Sequence, residues 1–276
     1  MIGRSKTSTA LMWVLALAVA LIVFLPVWYL CVMSFTPTQY ILKNDVSIIP
    51  KYFSVENLVT VSNDNPLFRW LLNTFFVSVV TVFIQIVTSS LAAYAFAFMD
   101  FKGKNAIFLC LLATMMVPEE AVIISNYLTM SHWGWLDTYQ VLIVPFMGSA
   151  MGIFLLRQFY MTFAKELHEA AELDGCTNIN FLFKIVLPLS KGMIGAFAIV
   201  SFLSCYNRYL WPLLVTSQTN MRVVQVGITS LQDQDAPQTI GLALAAVFIV
   251  SLPTFIIFVV GHKQLVKGLM AGAVKG

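Results

Sequence analysis

A chain of 276 residues with 59% hydrophobic and 11% charged residues is not a soluble globular domain, in which about a quarter of the residues are charged. Its formal charge of +3 is no argument for nucleic-acid binding, because the placement of Lys and Arg reads as a record of membrane orientation. Cys31, Cys110, Cys176 and Cys205 have neither metal-ligand nor disulfide-framework spacing and read as small apolar residues.

A helix crossing a bilayer needs about 20 mostly apolar residues. Six such runs are present, at residues 11–35, 70–98, 105–124, 138–156, 192–214 and 239–261. They lack period-2 alternation, so the expected class is an all-α membrane protein of six transmembrane helices rather than a barrel. The first run follows Arg4 and Lys6 and contains Ala16-Leu17-Ala18, which looks like a signal-peptide cleavage box. The apolar stretch continues well beyond the ~7–15 residues of a signal peptide's core and is read as a retained span.

Residues 36–69, rich in Asn, Asp, Pro and Ser, follow as a loop. The turn at 100–104 is short, so the second and third spans should be antiparallel neighbours. In the third, Pro118 precedes Glu119 and Glu120, and a break is expected there. Residues 157–191 form the longest loop on one side, and 216–238 a loop of mixed character on the other. With the N-terminus inside, eleven of the sixteen Lys and Arg residues fall on the inner side. By the positive-inside rule both termini are cytoplasmic. Trp13, Trp28, Trp70, Trp133, Trp135 and Trp211 fall mostly near span ends, as interfacial belts do.

The inner loop is the most informative segment. Residues 165–173 are good helix formers, Gly175 stands where a left-handed cap would end the helix, and Thr177 can cap a second helix over 178–187. Pro188 then ends that helix or begins the next span. Leu167, Ala170, Ala171 and Asp174 share one face of the first helix. Its two alanines would let another protein's backbone approach closely. The other reading is a helix lying on lipid headgroups, but Glu169, Glu172 and Asp174 would be repelled by an anionic inner leaflet.

The run Glu169-Ala170-Ala171, three residues, Gly175, nine residues, then Ile185-Val186-Leu187-Pro188 resembles the signature cytoplasmic loop of permease subunits of bacterial ABC importers. The resemblance extends over about 70–276. Phe154-Leu155-Leu156-Arg157-Gln158-Phe159 looks like the family's exit from the fourth span, and Tyr206-Asn207-Arg208-Tyr209-Leu210-Trp211-Pro212-Leu213 like the outer end of its fifth. The tail from Lys267 to Gly276 looks like that of maltose-type second permeases. Within that group the nearest likeness is to glycerol-3-phosphate-type subunits, through Met161-Thr162, Leu187-Pro188-Leu189-Ser190-Lys191 and Tyr209-Leu210-Trp211-Pro212-Leu213-Leu214. Three positions depart from the family pattern: Lys191-Gly192 where a proline is common, Cys176 where alanine is usual, and Arg208 where an acid or amide is frequent.

The resemblance implies a type I ABC importer permease fold, a single transmembrane permease domain over 1–276 with its core at about 69–261, and a coupling loop at 157–191. It implies a heterodimer with a second permease subunit, two ATPase subunits beneath, an extracytoplasmic solute-binding protein, and residence in the bacterial cytoplasmic membrane. Glu169, Ala170, Ala171, Asp174, Gly175, Leu187 and Pro188 would dock an ATPase, with Glu169 accepting charge-assisted bonds from a basic residue there. Gln232, Asp233, Gln234 and Asp235, in the 216–238 loop, would meet the binding protein, and the glycine-containing tail would touch the ATPase pair. The solute would be a sugar or of glycerol-3-phosphate type.

No Gly-x-x-x-x-Gly-Lys-Ser/Thr loop is present, so ATP and Mg are expected on the partner ATPases and no cofactor on this chain. Nothing in the sequence makes it an enzyme. Gln85, Glu119, Glu120, Asn207 and Arg208 lie in or beside apolar runs, where polar groups mark functional sites. Two readings of Arg208 stay open. It pairs with Glu119 or Glu120, or snorkels outward. Alternatively it lines the translocation path, where a guanidinium suits bidentate phosphate contact. The rival class, a channel or secondary transporter without an ATPase, should show a Thr-Val-Gly-Tyr-Gly filter or repeated halves with broken helices; neither is found.

Overall fold

The computed structural model describes residues 6–43, 47–163, 165–231 and 239–273. Among them every regular element is helical. In chain order the α-helices are α1 (Lys6–Ser34), α2 (Thr38–Leu42), α3 (Glu56–Asp64), α4 (Leu67–Phe98), α5 (Lys104–Thr114), α6 (Glu119–His132), α7 (Tyr139–Ile143), α8 (Ala150–Tyr160), α9 (Lys165–Leu173), α10 (Asn178–Phe181), α11 (Leu187–Leu189), α12 (Lys191–Tyr206), α13 (Leu210–Val215), α14 (Val224–Thr229) and α15 (Ile240–Ala273), with short 3-10 or π segments at Val144–Phe146, Leu182–Val186 and Thr219–Met221. By their contacts they divide into two compact units, Met1–Phe68 with Gly227–Leu252, and Arg69–Val226 with Pro253–Gly276.

Three helices, within Ala10–Ser34, Leu67–Phe98 and Ile240–Val266, are long and apolar enough to cross a bilayer unaided. Three bent pairs bring the count to as many as six if each pair is one span. Two of the bends fall inside expected runs, and the third, of 76°, lies between Leu189 and Lys191, ahead of the run at 192–214. The run at 105–124 turns by 93° between α5 and α6, and α6 continues to His132. The break lies at Pro118, which has extended backbone (ψ 135°) and no N–H to offer the preceding turn. The run at 138–156 bends by 41° where the Ser149 side chain accepts from the Gly152 N–H at 3.0 Å and starts α8 afresh. The run at 192–214 is not one helix. α12 stops at Tyr206, where the Asn207 side chain donates to the Leu203 carbonyl at 2.8 Å, and α13 begins only at Leu210. The last helix runs on past the run at 239–261, reaching Ala273, with its apolar span ending at Val266.

In the first unit, α1 exposes apolar residues all round, from Leu11 to Leu25. The order lies beyond its end, around the buried Asn57. This side chain donates to the Thr36 carbonyl at 3.0 Å and accepts from the Thr38 hydroxyl at 2.9 Å. A methyl on Gly241 would collide with both Thr38 and Asn57, so the absent side chain lets α15 approach. Phe35 stacks on Phe53 and meets Phe248 edge-on.

In the second unit α4 is the spine, with a core cluster at each end. One gathers Val77, Val141, Leu142, Trp211 and Val215; the other gathers Ala93, Tyr94, Tyr160, Ala171, Phe181 and Val186. Between them α8 crosses α12 closely at Gly152, where an added methyl would overlap the Phe197 ring and the Ser89 hydroxyl. Gly195 is the contrast, since its nearest neighbour would be Gln264 at an ordinary 3.7 Å. Gly152→Ala should therefore destabilise the purified protein by about 1–3 kcal/mol through overpacking. Gly195→Ala should be neutral or stabilising by a few tenths of a kcal/mol, through helix propensity. Thermal midpoints of the two variants, measured side by side, check the pair.

Candidate functional site

Two places in the second unit gather the candidate residues, one at the C-terminal end of α4 and one beside Gln85 in its middle. The first is the elbow made by α9, α10 and α11. α9 covers 165–173 as its composition predicts, and Gly175 adopts φ +75°. The Cys176 N–H donates to the Ala171 carbonyl and the Gly175 N–H to the Glu172 carbonyl, each at 2.9 Å. These are the two bonds of a Schellman cap, and Cys176 packs beside Ala171 in the core. The Thr177 hydroxyl accepts from the Asn180 N–H at 3.4 Å and starts α10.

The expected second helix over 178–187 is only partly regular. It opens with one α turn, then widens into a π segment over Leu182–Val186. Pro188, at the start of α11, has no N–H, and its ring crowds the carbonyl four residues back. The wider turn relieves both. Leu187 is half-buried and Pro188 exposed.

The outward face of α9 differs from the expected one. Ala171 is 8% exposed and faces the chain's own core, so its small size serves internal packing rather than a partner's approach. His168 turns the same way, stacked on Phe98 at 5.4 Å and edge-on to Phe181 at 4.8 Å. Glu166, Glu169, Ala170 and Leu173 point away from the core, and Leu173 is 89% exposed. Asp174 and Gly175 are exposed at the tip. Leu173 went unnoticed in the sequence, where one leucine in a short amphipathic helix looks like any other. Glu169 also edges a cavity of about 390 Å³ with Asp100, Lys104, Tyr160 and His168.

The second place brings Glu119, Glu120 and Arg208 together around a cavity of about 250 Å³, with Ser204, Tyr209 and Trp211. Arg208 Nε lies 3.7 Å from Glu119 Oε1, its guanidinium carbon lies 3.4 Å over the centre of the Phe146 ring, and Nη1 donates weakly to Cys205 Sγ at 3.9 Å. Gln85 is buried behind this group and donates to the Phe146 carbonyl at 2.8 Å, holding the short Val144–Phe146 helix that carries the ring. A second cavity of about 220 Å³, lined by Asn126, Pro145 and Phe146, shares Glu119, Ile123 and Trp211 with the first. Asn207 stands apart, exposed, and accepts from Gln225 Nε2 at 3.3 Å. Phe146 was not singled out in the sequence, because a cation–π contact across 62 positions leaves no local signal.

The segment after α13 is pinned rather than reaching outward over its first half. The Trp70 indole donates to the Thr219 carbonyl at 2.7 Å, and Asn73 donates to the Asn220 and Arg222 carbonyls at 2.8 and 2.9 Å. Asp137 Oδ1 accepts from the Ser217 and Gln218 N–H groups at 2.6 and 2.8 Å. Val223, Val224 and Val226 are buried. Gln232, Asp233, Gln234 and Asp235 lie outside the described residues.

Comparison with known proteins accords with this architecture. Residues 85–263 match the family described as the binding-protein-dependent transport system inner membrane component. The chain is 31% identical to the arabinooligosaccharides transport system permease protein AraQ of Halalkalibacterium halodurans, over 99% of this chain and 100% of that one. It is 33% identical to the sn-glycerol-3-phosphate transport system permease protein UgpE of Rhizobium meliloti, over 91% and 92%. In fold it is similar to a chain from the crystal structure of a bacterial ABC transporter involved in importing the acidic polysaccharide alginate, with a TM-score of 0.83 at 20% identity, covering 95% of this chain and 99% of that one. The two named relatives are transport permeases rather than enzymes, and the apolar helices of this chain suit a multi-pass place in the inner membrane. The chain belongs to the inner-membrane-component family of binding-protein-dependent transport systems.

Proposed function

We propose that this chain is one of two permease subunits of an ATP-driven importer for an oligosaccharide or a glycerol-3-phosphate-type solute, with both termini cytoplasmic. The observation that supports this most directly is the elbow at 165–189. It is a capped, internally packed helix whose outward face, Glu169, Ala170 and Leu173, lies on a chain of the binding-protein-dependent family. A partner ATPase, carrying ATP and Mg, grips that face. Closure of the ATPase pair moves α9 and α10, and their shared core with Tyr94, Phe98 and Tyr160 passes the movement to α4 and α8. Such rocking between two access states requires a rigid elbow rather than a flexible loop.

The cavity around Arg208 and Glu119 is a station on the solute path, and residues 232–235 and the C-terminal tail are further points of contact with partners. The test is purification of this chain from native membranes. An ATPase and a second permease should accompany it, and ATP-dependent uptake should require both and a soluble binding protein. Solute movement by this chain alone, without an ATPase, would favour a channel or secondary transporter instead.

A further inference from the structure

We propose that the cavity beside Arg208 selects a neutral polyhydroxyl solute and rejects phosphorylated or carboxylated ones; this rests on the reading of that cavity as part of the solute path. An arginine in a membrane cavity suggests an anion site, because its planar fork can hold a phosphate or carboxylate by two bonds. Here two of its nitrogens and one of its faces already meet groups of this chain. Nε lies 3.7 Å from Glu119 Oε1, Nη1 points at Cys205 Sγ, and one face lies over the Phe146 ring. The Arg208 side chain is 17% exposed against 54% for Glu119.

An entering solute therefore meets carboxylate before guanidinium. The cavity is lined by two carboxylates, Glu119 and Glu120, and one guanidinium, an excess of one negative charge. Ionised carboxylates only accept hydrogen bonds. They suit the many donating hydroxyls of a sugar, whereas phosphate oxygens would oppose them charge to charge. The Trp211 indole N–H is committed to the Val141 carbonyl at 2.8 Å, so Trp211, Ile123 and Phe146 offer apolar surface to the two adjoining cavities. Apolar faces with a few polar acceptors are what a sugar ring, with its C–H faces and hydroxyl rim, can use.

The experiment measures equilibrium binding to the whole purified importer complex without its binding protein. The probes are a panel of neutral pentose and hexose oligosaccharides, with glycerol-3-phosphate and a uronate trisaccharide as anions. At least one neutral oligosaccharide should bind about tenfold or more tightly than either anion. Glu119→Gln should move that ratio about tenfold towards the anions, since it frees Arg208 and removes the opposing charge; Glu120→Gln should move it the same way. Tighter binding of an anion in the unaltered complex, abolished by Arg208→Gln, would overturn the neutral preference while leaving the path reading intact. Absence of binding by every probe, or binding that neither Glu variant changes, would overturn both.

Discussion

Leu173→Asp should lower ATP-driven uptake by the reconstituted importer about tenfold or more without lowering the thermal midpoint of the protein. Leu173 is 89% exposed on α9, so a carboxylate there costs the isolated chain almost nothing. In the proposed complex the same position is covered by an ATPase, and a buried unpaired carboxylate is expensive. Glu169→Ala should act in the same direction, because a charge-assisted hydrogen bond contributes about 1.5–3 kcal/mol, roughly ten- to a hundredfold in docking. Ala171→Leu is the contrast. Ala171 is packed inside the elbow at 8% exposure, so the larger side chain should lower the thermal midpoint itself. If Leu173→Asp keeps full uptake while Ala171→Leu loses uptake with an unchanged midpoint, the docking face is the one that carries Ala171, and the outward face described for α9 is wrong.

Comparison of these two residues shows where the sequence was informative. The elbow's bounds were legible because each rests on local chemistry. Helix formers fill 165–173, Gly175 supplies the positive φ, and Thr177 supplies a hydroxyl for the next N-terminus. The break before Glu119 was legible for the same reason, through Pro118. Which side of α9 faces inward was not. Leu167, Ala171 and Leu173 are all apolar, and only the positions of Phe98 and Phe181, 67 or more residues before and eight or more after in the chain, settle that His168 and Ala171 turn towards the core. The helix break at Asn207 was missed because the run at 192–214 is apolar throughout apart from a few side chains, and hydropathy averages over a side-chain cap. At the cavity, the pairing of Arg208 with Glu119 was one of the open readings. Its stacking on Phe146 and the support from Gln85 required the tertiary structure.

Asn73→Leu should release the segment that follows α13. Asn73 lies in the apolar run of α4, and nothing in its neighbourhood of sequence marks it, yet it is 1% exposed. Its amide donates to the Asn220 and Arg222 carbonyls, and its oxygen accepts from the Tyr139 hydroxyl at 2.7 Å. Leucine is close in volume, so the change removes hydrogen bonds and leaves little cavity. Arg69 Nε still reaches the Asn220 carbonyl at 3.4 Å, which leaves the Arg222 carbonyl and the Tyr139 hydroxyl without this partner. Both groups are only partly buried, so at about 0.5–1.5 kcal/mol for each hydrogen bond lost the cost is about 1–3 kcal/mol, an appreciable share of the stability of an ordinary domain. The loss is local, because Thr74 continues to accept from the Val224 N–H at 2.8 Å and Trp70 continues to donate to Thr219. Amide hydrogen exchange should therefore accelerate over residues 219–223 and much less over the elbow at 165–189, at the other end of α4. Thr74→Val should extend the faster exchange to Val224. Arg69→Gln, whose bond is long and exposed, should have little effect. Unchanged exchange at 219–223 in Asn73→Leu would mean that the buried valines at 223, 224 and 226 hold this segment without help from α4's polar side chains.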